Sequence, residues 1–335
     1  MSFNSRRAPK RIVLIGLTFV TLLVLGYGLC SFWTLSKLNG EVDAWITENV
    51  SKGWSISHGE VQTGLAFDHV ILKFPNPKIS APFGEWKGEY LSISCYLFDP
   101  GHLKFVVIGP NQIAIGRSEW SMSAYPLRVD LHVSGNTGNI KSLHATASDV
   151  QITSENKAAF FSQGLGLALT SFNSTSDIAQ PSVEFIGTAA GVDFKSSPTV
   201  SMQPITVLEL SGKFMGALPP SPPVQSLSKW SADGGTIEVE HFVLEWSPIK
   251  IEGGGTIAFD HLLQPIAAFS THMQGLPHLT ETLQQTGTLS IQDAEALRVS
   301  YHGQANPPLP ITFQDGKVWL GTVAIAEQPL IHWPE

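Results

Sequence analysis

The chain has 335 residues, of which 43% are hydrophobic and only 14% charged, so a folded core is expected and a disordered chain is excluded. Its formal net charge is −8, and all 28 acidic residues lie beyond residue 35. Such an acidic exterior argues against nucleic acid as a partner and against electrostatic docking on anionic lipid.

The first predicted element is Ile12–Leu35, a stretch of 24 residues without a charge. As a helix rising about 1.5 Å per residue it reaches roughly 36 Å, enough to cross a hydrocarbon core of roughly 30 Å. Four basic residues precede it, whereas only Lys37 follows directly. This asymmetry predicts a single-pass bacterial inner-membrane protein, with residues 1–11 cytoplasmic and the bulk of the chain periplasmic. The lipid bilayer is then its first partner.

Three other interpretations of this stretch are weaker. A cleaved signal peptide has a shorter apolar region, of about 7–15 residues. A lipoprotein attached at Cys30 requires a small residue where Leu29 stands. The pair Arg6-Arg7 lacks the apolar residues that follow a twin-arginine motif. An uncleaved anchor over residues 12–35 is therefore the prediction.

Residues 36–53 predict a juxtamembrane helix that ends at Gly53. Its apolar residues recur at helical spacing and form one stripe, which we expect to pack on the following domain; they are Leu38, Val42, Trp45, Ile46 and Val50. The two cysteines, Cys30 in the anchor and Cys95 in a predicted strand, are not expected to meet, and Cys95 is expected to be a small buried hydrophobe.

From residue 54 the pattern changes to strands separated by turn residues. Residues 126–134 are the clearest case, because Leu127, Val129 and Leu131 alternate with polar residues, as in a half-buried antiparallel strand. In Thr236–Trp246 the apolar phase slips near His241, which predicts a β-bulge. The predicted strands are Trp54–Thr63, Leu65–Phe74, Glu89–Phe98, Leu103–Ile108, Pro126–Ser134, Ile140–Thr153, Leu165–Phe172, Val183–Val192, Ile205–Phe214, Gly235–Trp246, Ile249–Phe259, Pro265–Met273, Leu309–Phe313 and Val318–Ile325.

Helices are few in the same region. Short ones are predicted at Val224–Trp230, Pro277–Gln285 and Ser290–Tyr301, and a helical turn at the start of Asn156–Gly164. The predicted fold is therefore mainly β: an N-terminal transmembrane helix followed by a large twisted, curved antiparallel sheet, either a groove or an open barrel or sandwich. Residues 54–335 form its periplasmic domain, and a proline-rich segment leaves a sub-boundary open at 216–226.

No catalytic pattern emerges from the reactive residues. The 11 histidines are scattered, without H-E-x-x-H or C-x-x-C spacing, and there is no G-x-S-x-G motif. Gly253–Gly255 precedes a strand instead of a helix, so close strand approach or a bulge is expected there and not a phosphate cradle. We therefore expect no enzyme activity, no catalytic residues, no metal ligands and no cofactor, and the ligand-binding residues are unknown.

Three C-terminal segments carry a family resemblance: Trp230–Val239, Leu244–Asp260 and Phe313–Gly321. Together with Gly53–Pro82 they resemble a bacterial family named domain of unknown function 2125, although Thr322-Val323 departs from its usual small residue and proline. The resemblance implies a membrane anchor followed by a β-rich envelope domain. That family is in turn similar to AsmA/TamB-type proteins, for which an apolar concave sheet and a role in lipid handling are implied.

The expected function is therefore lipid binding or handling in envelope maintenance, with phospholipid or envelope proteins as partners. The alternative is a non-catalytic scaffold or assembly factor that binds other envelope proteins through its sheet edge or acidic face.

Overall fold

A computed structural model describes residues 10–82, 84–115, 118–135, 138–154, 159–172, 177–195, 204–217, 223–285, 287–301, 306–327, 330–331 and 333. The predicted cytoplasmic residues 1–9 and the proline-rich residues 218–222 lie outside these ranges. Within them the chain forms four helices and eighteen strands.

The first helix, α1 (Lys10–Ser51), runs without interruption through both predicted N-terminal helices. No proline interrupts it, so the uncharged stretch and the amphipathic segment after it form one continuous helix. It ends at Ser51, and Gly53 follows with a φ of +87° that favours glycine and allows Trp54 to donate its backbone N–H to the carbonyl of Asn49. By length and composition, its residues Thr18–Ser51 are a candidate membrane span. The other helices are α2 (Pro223–Ala232), α3 (Leu276–Gln285) and α4 (Ile291–Ser300).

The strands belong to one antiparallel sheet. In chain order they are β1 (Ser55–Ser57), β2 (Gln62–Leu65), β3 (His69–Pro75), β4 (Lys78–Ala81), β5 (Gly84–Tyr96), β6 (His102–Ile115), β7 (Ser118–Ser123), β8 (Leu127–Val133), β9 (Ile140–Ser154), β10 (Ala159–Ser171), β11 (Pro181–Lys195), β12 (Ile205–Met215), β13 (Thr236–Trp246), β14 (Ile249–Phe259), β15 (Pro265–Gln274), β16 (Pro308–Gln314), β17 (Lys317–Leu320) and β18 (Val323–Glu327).

Each strand pairs mainly with its neighbours in the chain. From β8 to β18 every consecutive pair is hydrogen-bonded. At the start, β5 pairs with β3 and β4 on one side and with β6 on the other, and β7 and β8 share the space between β6 and β9. No pairing joins β18 back to β1 or β2 among the described residues, so the sheet is not a closed barrel.

Most of the predicted strands and all three short helices are confirmed. The strand Ile249–Phe259 has the predicted bounds, and a register shift between Val239 and Phe242 confirms the bulge at His241. Gly253–Gly255 is confirmed as a close approach, since a Cβ on Gly254 would lie 2.8 Å from the carbonyl oxygen of Val239. Cys95 is confirmed as buried.

The helical turn predicted at the start of Asn156–Gly164 falls on residues outside the described ranges and stays a prediction, while residues 159–164 belong to β10. Other local predictions were wrong. Gly64 was predicted to separate the strands Trp54–Thr63 and Leu65–Phe74. It lies within β2 instead, because the chain reverses after residue 65. Strands β4 and β7 were missed: β4 is only four residues long, and β7 (SEWSMS) is mostly polar. β6 continues beyond Ile108, where Gly109 at a φ of +90° lets the strand change direction.

Candidate functional site

One face of the sheet is apolar from its first strands almost to its last, and we call it the apolar face. Register partners place their side chains on the same face of a sheet, so the pairings define rows that cross many strands. One row crosses eleven strands and is entirely apolar: Phe74, Leu91, Val107, Leu127, Ala147, Leu165, Ala189, Leu208, Leu244, Ile251 and Met273.

A neighbouring row, two residues further along each strand, has the same character. It is interrupted only by two glycines and Thr271, whose hydroxyl donates to the backbone carbonyl of Leu309. Its members are Leu72, Ile93, Phe105, Val129, Ala145, Leu167, Gly187, Leu210, Phe242, Gly253, Thr271 and Leu309. The two rows make a band of apolar surface that is continuous across the sheet.

Helix α1 covers the first part of the apolar face. Leu38 of the helix packs with Val70, Leu72, Phe74 and Ile93 in one buried cluster. Near its other end, Trp45 makes an edge-on contact with Trp54, with ring centroids 6.1 Å apart. Cys30 and Cys95 both contribute to the same cluster, although both are free thiols. They belong to one cluster because residues of α1 between 27 and 38 pack on the sheet.

The short helices cover the last part of the face. In α2, Trp230 is 1% exposed; its ring lies against Phe214 and Phe259, and its indole N–H donates to the carbonyl of Met215 at 2.8 Å. Helices α3 and α4 supply Leu276, Ala294 and Leu297 to a core with strands β14–β18. Both ends of the apolar face are thus built as ordinary protein core.

The middle of the face has no helix against it in the described part of the chain; it spans β8–β11 and the part of β12 around Leu208 and Leu210, before α2 meets Phe214. Leu167, Leu208 and Leu210 are 42%, 40% and 38% exposed. Around them lies a groove of about 430 Å³, lined by side chains that are almost all aliphatic. We call it the central groove. Its lining includes Leu127, Ala145, Ala147, Val150, Ile152, Leu165, Gly187 and Ala189.

A second cavity, of about 460 Å³, lies between α1 and the sheet, and we call it the helix-side cavity. Its walls are Leu38, Val42 and Trp45 of the helix and apolar residues of β3–β8, among them Phe105 and Leu131. The few polar residues at its border include Glu41 and His58. Since volumes of roughly 300–1,000 Å³ are usual for small-molecule sites, either cavity is large enough for a ligand.

Strand β8 connects the two cavities. Leu131 borders the helix-side cavity and Leu127 the central groove, and both side chains lie on the apolar face with Val129 between them. A ligand with a long apolar part therefore has an unbroken apolar path from α1 to β12.

The end of the sheet beside Tyr27 carries unusually exposed apolar side chains. The Tyr27 hydroxyl donates to the carbonyl of Ala66 at 2.8 Å, and its ring stacks on Phe67 at 6.1 Å. Phe67 and Phe98, on adjacent turns, are 85% and 79% exposed. The same level of α1 has an exposed apolar surface that continues from Phe19 to Trp33. We call these two turns the apolar rim.

The opposite face is polar and carries the sheet's ion pairs. Glu85 accepts hydrogen bonds from Lys87 at 2.6 Å and from Ser80, and it pairs with Lys78; these donors lower the pKa of its carboxyl group to about 2. Burial raises the pKa of the Cys95 thiol on the apolar side, which disfavours the reactive thiolate form.

On the polar face, ligand atoms of Asp99, His102 and His132 lie within 4.8 Å of one another. The sequence expectation of no metal ligands depended on the spacing of histidines along the chain, which does not report contacts between strands. The alternation of residues 126–134 placed His132 on the polar face, but only the register with β6 brings it to His102.

A family model described as an uncharacterized protein conserved in bacteria, DUF2125, matches residues 32–329. The match covers every strand of the sheet and α1 from Phe32 onward. Comparisons with curated proteins and with solved structures gave no match.

Proposed function

The chain belongs to the bacterial family DUF2125, and we propose that it is an inner-membrane envelope protein whose apolar face holds the acyl chains of phospholipid. The observation that carries the proposal is the open middle of this face, where three leucines are about 40% exposed on a surface that is buried at both ends. Exposed apolar patches that continue a buried core usually mark interaction sites.

The chemistry of the lining favours an acyl chain over a polar ligand. The central groove has no charged residue in its described lining, and Glu41 is the single acidic residue at the border of the helix-side cavity. Binding is then driven by desolvation, at about 0.8 kcal/mol for each methylene buried. The headgroup finds no charged partner in the described lining of the central groove and stays in water at its open side.

The position of the apolar rim supports delivery from a bilayer. Tyr27 contacts the turn that carries Phe67, and Trp33 lies about 9 Å further along α1 at 1.5 Å per residue. Aromatic residues such as Trp33 favour the membrane interface. With α1 as the anchor, Phe67 and Phe98 lie at the level of the outer leaflet, where an acyl chain can pass from lipid to the sheet. We propose that the sheet lies in the periplasm and residues 1–9 in the cytoplasm, which the excess of basic residues before the charge-free stretch favours.

The role resembles that implied for AsmA/TamB-type proteins, and we include this kinship in the proposal. The alternative, a scaffold that pairs its sheet edge with other envelope proteins, has less support. The edge strands β1, β2 and β18 have three, four and five residues, and edges this short offer few backbone groups to a partner strand.

The proposal is tested by filling the central groove. A Cβ on Gly187 would meet only the carbonyl oxygen of Leu210, at 3.9 Å, so Gly187→Leu inserts a side chain into the groove without a backbone clash. Native mass spectrometry of the full chain, released from detergent micelles, then counts the phospholipid molecules retained. We expect lipid on the natural protein and severalfold less on Gly187→Leu.

The matched control is Gly164→Leu, on β10. Gly164 pairs with Ala190 on the polar face, and a Cβ there meets nothing within 4 Å. Lipid bound around α1 is the same in both variants. A difference in the number of retained phospholipids therefore reports binding in the central groove. Equal lipid on the two variants, or none on the natural protein, would exclude the groove as the lipid site and favour the scaffold.

A further inference from the structure

The polar face carries a second feature that the lipid proposal does not use, a ladder of four rings across adjacent strands. His69 (β3) lies 5.4 Å from Tyr96 (β5), Tyr96 stacks on His102 (β6) at 4.3 Å, and His102 stacks on His132 (β8) at 4.1 Å between ring centroids. We call these residues the ring ladder. Carboxylates border it: Asp68 at His69, Asp130 at His102 and Asp99 at His132.

We propose that Asp99, His102 and His132 form a binding site for a late first-row divalent cation, with Zn²⁺ as the representative ion. Two imidazoles and a carboxylate are a ligand set that this class of ion prefers, whereas Ca²⁺ and Mg²⁺ prefer oxygen ligands. In a tetrahedral site with bonds of about 2.1 Å, ligand atoms lie about 3.4 Å apart. The three donors now lie within 4.8 Å of one another, so they must converge by little more than about 1 Å.

The backbone holds all three ligands close to that arrangement. His102 and His132 are register partners on β6 and β8, which brings their Cβ atoms to about 5 Å. Asp99 is in the turn before β6, where the N–H of His102 donates to its carbonyl at 2.9 Å. The turn is fixed against β8, because Val133 donates to the carbonyl of Gly101, and a Cβ on Gly101 would lie 2.5 Å from the Val133 carbonyl oxygen.

The side chains around the ligands limit their rotation. Tyr96 covers one side of the His102 ring with an interplanar angle of 12°. Asp130 Oδ1 lies 3.3 Å from His102 Nε2 and is a positioning residue, since ligating histidines commonly bond a carboxylate through their second ring nitrogen. The ligands themselves are half-buried histidines and an exposed aspartate, so an ion can reach them from solvent.

A bound ion would join the turn of residues 97–101 to β8. Phe98 of the apolar rim is in that turn. The site therefore stiffens one of the two turns that, on the proposed function, meet the bilayer. The existence of the site does not depend on lipid binding, and its test uses no lipid.

The test is calorimetric titration of Zn²⁺ into the full chain in detergent, purified without a polyhistidine tag and treated with chelator. We expect one ion per chain, tenfold or more weaker binding for His132→Ala and for Asp99→Asn, and a weakening of roughly 10–100-fold for Asp130→Asn. Ca²⁺ should not compete. The matched control is His272→Ala, an exposed histidine on the same face at β15, which should bind like the natural protein.

A spectroscopic variant separates ligation from folding. His132→Cys replaces one ligand type by another, so it should retain binding and add a thiolate charge-transfer band to the Co²⁺ spectrum. Three results would overturn the proposal: no saturable Zn²⁺ binding to the natural protein, unchanged binding in His132→Ala and Asp99→Asn, or a Co²⁺ spectrum of His132→Cys without the thiolate band.

Discussion

The apolar face is covered at its beginning by α1 and open in its middle, over β8–β11 and the part of β12 around Leu208 and Leu210, although both regions carry the same kinds of side chain. Under the helix Leu72 is fully buried, whereas Leu208 in the adjacent row is 40% exposed. The covered region is closed by residues 27–42 of α1, which include the end of the charge-free stretch and the start of the apolar stripe after it. No described helix reaches the middle.

This difference separates surface used for stability from surface left for binding. Apolar area left in water lowers the stability of the fold by about 25 cal/mol for each Å² that a further helix would have buried. The chain has helices on both sides of the gap, yet the central groove is open between them. A surface with core composition that is not used as core is the region in which we locate the ligand.

The largest expected effect is the difference in stability lost when a leucine is replaced by alanine in the covered region and in the open region. Leu72→Ala removes a side chain with no exposed surface and should lower the free energy of unfolding by about 2–5 kcal/mol. Leu208→Ala should lower it by less than about 1 kcal/mol, because the site is already half solvated. Denaturant unfolding of the full chain in detergent measures both. Equal losses would mean that the middle of the face is core as well.

A smaller effect is expected in the covered region, at a buried hydroxyl of α1. Thr34 of α1 is 2% exposed, and its hydroxyl has no hydrogen-bond partner among the described residues. Because an unpaired buried hydroxyl costs about 1–3 kcal/mol, Thr34→Val should raise the free energy of unfolding by about 1 kcal/mol. Thr47→Val is the control, since the exposed Thr47 hydroxyl donates to the carbonyl of Asp43 at 2.8 Å. A loss of stability in Thr34→Val would show that α1 does not pack on the sheet as described.

The smallest expected effect lies on the polar face behind the helix-side cavity. The pKa of Glu85 is lowered to about 2 from 4.5 by its hydrogen bonds to Lys87, Ser80 and Lys78. A carboxyl group with a lowered pKa in the folded state contributes stability that is present above pH 4.5 and lost as the pH falls through about 2. Glu85→Gln should therefore flatten the pH dependence of unfolding in this window. An unchanged slope would show that these donors do not act on Glu85.

The local structure was predictable where turns and alternation agree. Strands β13–β15 follow from the turn residues at Ser247-Pro248 and Asp260–Pro265, and the bulge at His241 follows from a slip in the apolar phase. Strand β7 was not predictable, because its six residues include little apolar pattern and its pairing with β6 and β9 supplies the order.

The central groove and the cluster of Asp99, His102 and His132 could not be predicted from the sequence, for a different reason. Alternation on β8 predicts which residues share a face, but the eleven-strand row depends on the register of ten strand pairs. The open middle depends further on the positions at which α1 and α2 pack on the sheet, and no local sequence pattern predicts these positions. His102 and His132 are 30 positions apart and meet only through the pairing of β6 with β8.

The most direct test places a photoactivatable amino acid on either face of the open region in living cells. Leu210 on the apolar face and Ile186 on the polar face of the neighbouring strand are 38% and 47% exposed, so the two probes differ mainly in the face they occupy. Mass spectrometry of the irradiated, purified protein identifies the adducts. The account predicts phospholipid adducts at position 210 and not at 186; lipid at both positions, or only protein adducts at 210, would contradict it.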